Sequence, residues 1–332
     1  MTSFPTTKFC LPPLPALLLC LLTSLLAGCS SPSPHEKHYY TVGVLNYSKA
    51  AEKALAGFKE GMTKLGYREG ENITYLYAGH IPDREKLRDE ARELLQKNID
   101  LLYTMSTPAT LIAKEMTTNN PVPVVFGPVS NPVESGIVGD LKSPERNITG
   151  VTFKYQEPKR LQLLQEIAPA AHRIAFPFNP DDPSPQFNLQ EITAIAAELG
   201  VTLVPCPLRN NDEINAFLTA LPADIDAIYM PTDSFMATRA KDFIATALER
   251  GLPLTTPIRE GVQAGALFSY GISLHELGVQ ASRLADQLLR GISPRDLPVE
   301  IAEFEIAVNL RTAEAIGINL PDSLLRRAIV IQ

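Results

Sequence analysis

A chain of 332 residues that is 45% apolar can bury a large core, more naturally in two lobes than in one. Its 30 Lys and Arg stand against 37 Asp and Glu, net charge −7, with no basic cluster. That balance excludes a phosphate-binding stripe and with it nucleic acid as a partner.

The N-terminus reads as an export segment. Residues 11–27 are nearly all Leu, Ala and Pro behind a stretch whose only charged side chain is Lys8, and Pro12, Pro13 and Pro15 interrupt the run. A spanning helix needs roughly 20 apolar residues, so a cleaved signal fits better. Leu26, Ala27, Gly28 and Cys29 match the bacterial lipoprotein box, in which a cysteine thiol takes a diacylglyceryl group. The expectation is a signal peptide over 1–28, lipidation at Cys29 and a Ser/Pro-rich tether over 29–38 on the extracytoplasmic side of a membrane. Of the four cysteines only Cys206 then remains within the fold, so no internal disulfide can form.

From Tyr39 onward short β-branched or aromatic runs alternate with helical spacing. YYTVGVLN predicts a strand; residues 49–65 predict a helix with Leu55, Phe58, Met62 and Leu65 on one side, stopped by Gly66. ITYLYAG, a helix over 83–97, DLLYTM, a helix opening at Thr107 and Pro108, and PVVFGP continue the alternation expected of a parallel sheet covered on both faces. After a polar insert the pattern restarts with HRIAFPFN, a helix over 183–199, VTLVPCPL, a helix over 211–220, DAIYMPTD, a helix over 235–250 and PLTTP. GALFSYGIS, a helix over 274–290 and a Pro-rich extended run close the chain.

The wording and order of VGVLN, DLLYTMSTPAT, PVVFGPVSNPVESGIVGDL, NITGVT, DAIYMPTDS and GALFSYGISLHELGVQASRLADQLLRG resemble the ABC-transporter substrate-binding proteins of the TrpX type, over essentially all of residues 39–328. The resemblance implies an α/β type I periplasmic-binding-protein fold, with two doubly wound parallel-sheet lobes joined by three crossovers around a ligand cleft. It puts the first crossover within 147–153 and returns the unit from Ala266 to the first lobe. The lobes are then 39–150 with 266–300, and 151–265 with 301–332. It implies capture of a small molecule, an amino acid or related carboxylate, by a monomer that delivers it to a permease and its ATPase. A sensory module coupled to a kinase or chemoreceptor is the alternative.

Ligands of open α/β sheets lie beyond the carboxyl ends of the strands. Those ends nominate Asn46, Tyr47, Ser106, Thr107, Ser130, Asn131, Asn179, Asp233 and Tyr270. Thr107 before Pro108 opens a helix whose free N–H groups attract a carboxylate, or else Thr107 caps its own helix. Asp233 pairs with a ligand amine, or else caps the helix that follows it. Phe126, Tyr155 and Phe178 join the aromatics that could pack an apolar side chain. Where relatives carry Thr or Ser, Asp, Pro, this chain has Ser130, Asn131 and Pro132, which removes a charge near the pocket.

Catalytic signatures are missing from the sequence. His275 and Glu276 open no zinc-protease motif, since the fifth position is Val279, and no phosphate-binding glycine loop or nucleophile elbow is present. No cofactor, metal or enzymatic activity is expected.

Overall fold

The computed structural model describes residues 1–4, 39–144, 146–154 and 156–332; the predicted signal beyond its first four residues, the Cys29 lipidation site and the tether lie outside the described residues. Among the described residues no helix is long and apolar enough to cross a membrane.

The first lobe alternates strand and helix as its periodicity predicts: β1 (Tyr40–Asn46), α1 (Glu52–Lys64), β2 (Ile73–Leu76), α2 (Arg84–Gln96), β3 (Leu101–Met105), α3 (Thr107–Met116), β4 (Val124–Val129) and β5 (Ile148–Thr152). All five residues of β3 and of β5 are buried, the mark of a sheet covered on both faces. Asp83 caps α2 by accepting the N–H of Lys86 at 2.9 Å.

The second lobe holds α4 (Glu157–Ile167), β6 (Arg173–Phe178), α5 (Pro183–Glu198), β7 (Thr202–Pro207), α6 (Asn211–Thr219), β8 (Ala227–Tyr229), α7 (Ser234–Thr238), α8 (Ala240–Glu249), β9 (Leu254–Ile258), α9 (Arg259–Gln263) and β10 (Phe268–Ile272). The chain ends in α10 (Leu274–Leu289), β11 (Glu300–Ile301), β12 (Glu305–Asn309), α11 (Leu310–Ala315), α12 (Asp322–Leu325) and β13 (Ala328–Ile331). The first sheet runs β11-β5-β4-β3-β1-β2, all parallel, and the second β13-β12-β10-β9-β8-β6-β7, parallel except where β12 meets β10.

These registers move the expected lobe boundaries. Residues 148–152, expected in the first crossover, are β5 inside the first sheet, so the chain crosses after Thr152. The strand expected to return to the first lobe from Ala266 stays behind: β10 pairs with β9 and β12, and only α10 crosses. It crosses because it has a prepared seat on α1. A Cβ at Gly57 would lie 1.9 Å from the carbonyl oxygen of His275, and one at Gly278 would lie 2.0 Å from that of Ala54, so the two helix backbones touch. Ile301, assigned by sequence to the second lobe, pairs with Thr152 in the first, and the third crossover follows it. The helix expected over 235–250 breaks at Arg239, whose guanidinium reaches Asn211, Asn215 and Asp242.

Apolar layers form on both faces of each sheet. In the first lobe Val42, Val44 and Tyr103 meet Phe58 and Leu277 on one side, while Leu45, Leu102 and Phe126 meet Leu87 and Ile112 on the other. Each such side chain, fully buried, contributes about 1.5–3 kcal/mol.

Candidate functional site

The strand order of the first sheet reverses between β1 and β3, and that of the second between β6 and β8. At such reversals the connecting helices leave on opposite faces, and a crevice opens beyond the strands' carboxyl ends. A cavity of about 690 Å³ lies there, between the lobes. Four of the nominated residues line it: Ser106, Thr107 and Ser130 from the first lobe, and Asp233 from the second.

The other five are engaged elsewhere. Asn46 donates its amide to the Tyr77 hydroxyl and accepts the N–H of Ser48, both at 3.0 Å. Tyr47 is buried in the first-lobe core, and burial pushes its hydroxyl pKa up. Asn131 reaches across to Ser184. The Asn179 side chain accepts the N–H of Asp181. The Tyr270 ring packs on Phe304, 5.7 Å between centroids. Phe126 and Phe178 belong to the cores, and Tyr155 lies outside the described residues. An aromatic that does face the cavity, Phe153, sits on the first crossover. It falls at the end of the 147–153 stretch that the resemblance assigned to that crossover, and was not nominated as a ligand contact.

Ser106 and α3 supply the donor wall. Ser106 has φ +92° and ψ 155°, a backbone state that only glycine adopts easily, and no capping bond from its side chain. Its hydroxyl is buried without a partner among the described residues. The first-turn N–H groups of α3 have no intrahelical acceptor, and Pro108 at the start of the helix has its φ pre-set for the helical turn.

The acceptor wall comes from the second lobe. Asp233 caps α7: one carboxylate oxygen accepts the N–H groups of Phe235 and Met236 at 2.8 and 2.9 Å, the other that of Asn179 at 2.6 Å. Capping is thus its geometric role, and of roughly four lone-pair positions one stays open. Asp182 is also buried and caps α5. Desolvation first, and for Asp233 also the charge of Asp182, hold both carboxyls above the usual Asp range. Glu260 lines the same wall; one of its carboxylate oxygens accepts the N–H of Leu274 at 3.0 Å, and the other is buried without a partner among the described residues.

Beneath that wall lies a network the sequence reading missed. Arg160 and Glu157, 0% and 1% exposed at the side chain, form an ion pair. Arg160 also donates to the main-chain oxygen of Met230 at 2.7 Å and to the Tyr229 hydroxyl at 3.1 Å, its guanidinium carbon 4.0 Å from the Tyr229 ring centre. Glu157 in turn accepts the Thr232 hydroxyl at 3.2 Å. The turn from Met230 to Asp233 is thereby fixed from below, and Thr232, whose hydrogen is committed to Glu157 and whose oxygen accepts the Gln156 amide at 3.2 Å, has one lone pair left for the cavity. The available sequence signal was the three-residue spacing of Glu157 and Arg160 on one helix face.

The lobes touch across the cavity. Arg84 donates to the main-chain oxygen of Asp181 at 3.0 Å, and Lys53 to Gln263 at 3.1 Å. Among the described residues no group of His, Cys, Asp and Glu could hold a metal ion.

The comparisons with known proteins agree with this architecture. The model of a family described as ABC transporter substrate binding protein matches residues 42–331. A tyrosine-binding protein of Clostridioides difficile (strain R20291) is 27% identical over 306 residues, 88% of each chain. Among solved structures, an ABC domain in complex with L-Trp from Streptococcus pneumoniae superposes with a TM-score of 0.83 at 24% identity, covering 88% of this chain and 100% of that one. The ligand-free, open structure of a substrate-binding protein with adhesive properties from Clostridium difficile gives 0.67 at 26% identity, covering 89% and 99%. Nearly the whole of the folded chain falls within one family match, and the chain belongs to the ABC transporter substrate-binding proteins, which hold a molecule without converting it.

Proposed function

We propose that this protein captures an amino acid or closely related small carboxylate, with an aromatic side chain among the candidates, and presents it to an ABC permease from the extracytoplasmic side of a membrane to which Cys29 tethers it. One observation carries the reading. The interlobe cavity, roomy enough for an amino acid, has N–H donors at the start of α3 on one wall and the oxygen acceptors Thr232, Asp233 and Glu260 on the other. A zwitterion matches that polarity, its carboxylate toward the helix N-terminus and its ammonium toward the acceptors. Relatives named for tyrosine or solved with L-Trp support the same ligand class.

The test is a thermal-shift and calorimetric screen against L-tyrosine, L-tryptophan, the other amino acids, their deaminated acids and sugars. A ligand at 100 times its dissociation constant adds about 2.7 kcal/mol of stability. Thr107→Pro, which removes one donor at the mouth of α3, should abolish the shift. Stabilisation by sugars alone would refute the assignment.

A further inference from the structure

Two serines from opposite lobes meet beside the cavity. Ser130 follows β4 in the first lobe, Ser184 lies in the first turn of α5 in the second, and their hydroxyl oxygens are 2.8 Å apart. Both residues are 2% exposed. Asn131 adds its amide, donating to the Ser130 hydroxyl oxygen at 3.2 Å and to the main-chain oxygen of Ser184 at 3.4 Å. Each side is braced from within its own lobe. The Thr152 hydroxyl donates to the main-chain oxygens of Val129 and Ser130 at 2.8 and 3.1 Å, and the Asp182 carboxylate accepts the N–H of Ser184 at 3.0 Å.

The Ser130–Ser184 bond and the bond from Asn131 to the Ser184 main chain exist only while the lobes are together, and they need no bound molecule to complete them. We propose that Ser130, Asn131 and Ser184 form an interlobe latch, a set of affinity-determining residues that act by holding the cleft shut. Asn131 thereby acquires a role different from the ligand contact its sequence position suggested. Ser130 and Ser184 also line the cavity, but a molecule that binds the closed form gains apparent affinity in proportion to the fraction already closed, so the latch sets affinity through that fraction. A buried neutral hydrogen bond shifts such an equilibrium roughly two- to tenfold, and a truncated partner leaves the other hydroxyl unmet, which pushes the effect toward tenfold.

Amide hydrogen exchange on the ligand-free full chain reads the closed-to-open ratio directly, through peptides on the two cleft walls. Ser130→Ala and Ser184→Ala should each speed cleft-wall exchange about tenfold while the interiors of β3 and β8 keep wild-type protection. The double variant should exchange no faster than either single one, because the pair is already broken and no hydroxyl is then left unmet. Ser184→Thr, which retains the hydroxyl, should restore protection. Unchanged cleft-wall exchange, effects that multiply in the double variant, or faster exchange throughout the second lobe would each overturn the latch.

Discussion

The carboxylate of Asp233 accepts the backbone N–H of Asn179 at 2.6 Å, which ties the carboxyl end of β6 to that of β8 where the strand order reverses. Its other oxygen holds the first turn of α7. Asp233→Ala would strand three N–H groups, two of them bonded to one oxygen. Loss of a cap costs about 1 kcal/mol and a buried unmet donor about 1–3 kcal/mol, so stability should fall by about 2–4 kcal/mol in urea unfolding. Asp233→Asn keeps an acceptor and should cost less than half of that. A fall below 1 kcal/mol for the alanine variant would mean that these bonds are not made.

The same carboxyl and its neighbour give stability a pH dependence of definite sign. Burial raises Asp182 from 3.8 to about 6, and burial with the Asp182 charge raises Asp233 from 3.8 to about 7. Arg84 opposes the rise at Asp182, while Tyr47 faces the pair from the first lobe. A carboxyl with a higher pKa in the folded state binds more protons there than in the unfolded chain, so its contribution falls as pH rises. The window runs from about pH 4, the unfolded value, to about pH 7. Unfolding free energy should therefore decline between pH 5 and pH 7, and Asp182→Asn should flatten that slope. A slope of opposite sign would contradict the burial of the pair.

The residues that made the fold legible were the apolar runs of the strands and the caps. Asp83, Asp182, Asn210 and Asp233 each precede a helix and each accepts a first-turn N–H. Ser106 and Thr107 were legible for the same reason, since Pro108 marks a helix start after a buried strand. Lobe membership was not legible from local pattern. β10 reads as the start of a strand-helix unit, yet its hydrogen bonds remain in one sheet while its helix packs on the other lobe, and only pairing across the chain decides that. Asn131 was illegible for a related reason: its partner lies 53 residues away in sequence. Polar side chains at a strand end look alike in sequence whether they face a guest or the opposite lobe.

Glycines at the α1–α10 contact are open to a direct test. Gly278→Ala would place a methyl 2.0 Å from the carbonyl oxygen of Ala54 and 2.8 Å from the backbone nitrogen of Phe58. Backbone cannot yield as a side-chain tip does, so α10 would have to lift from α1. Overpacking of this kind costs about 1–3 kcal/mol or more. The melting transition should fall by several degrees, and exchange should rise in α10 before it rises in the second-lobe sheet. A variant as stable as the parent would show that the helices do not approach so closely.

Arg160 and Glu157 carry opposite charges with almost no access to water. Removing one leaves the other buried without its counter-charge, which costs about 3–5 kcal/mol, whereas removing both with apolar replacements of similar size is often near neutral. Arg160→Met should therefore destabilise strongly in urea unfolding, and Arg160→Met with Glu157→Leu should recover most of the loss. Ligand affinity should not recover in the double variant, because Thr232 would lose the acceptor that orients its hydroxyl and Met230 the donor that holds its carbonyl. Equal recovery of stability and affinity would mean that the network does not position the cleft wall.

Ser106 separates stability from binding most cleanly. At φ +92° and ψ 155° a serine carries strain of about 1–3 kcal/mol, which glycine would relieve, and the greater freedom of glycine in the unfolded chain offsets about 0.5–1 kcal/mol of the gain. Its hydroxyl has no partner among the described residues, so Ser106→Gly breaks no internal bond. The variant should be more stable than the parent by about 1 kcal/mol in the absence of ligand. If the buried hydroxyl is held in place to meet the guest, the same variant should bind L-tyrosine or whichever amino acid the screen selects about tenfold more weakly, the loss of one hydrogen bond. Calorimetric titration alongside urea unfolding reads both quantities. Lower stability would show that the backbone at Ser106 is unstrained, and undiminished affinity would show that its hydroxyl meets no ligand.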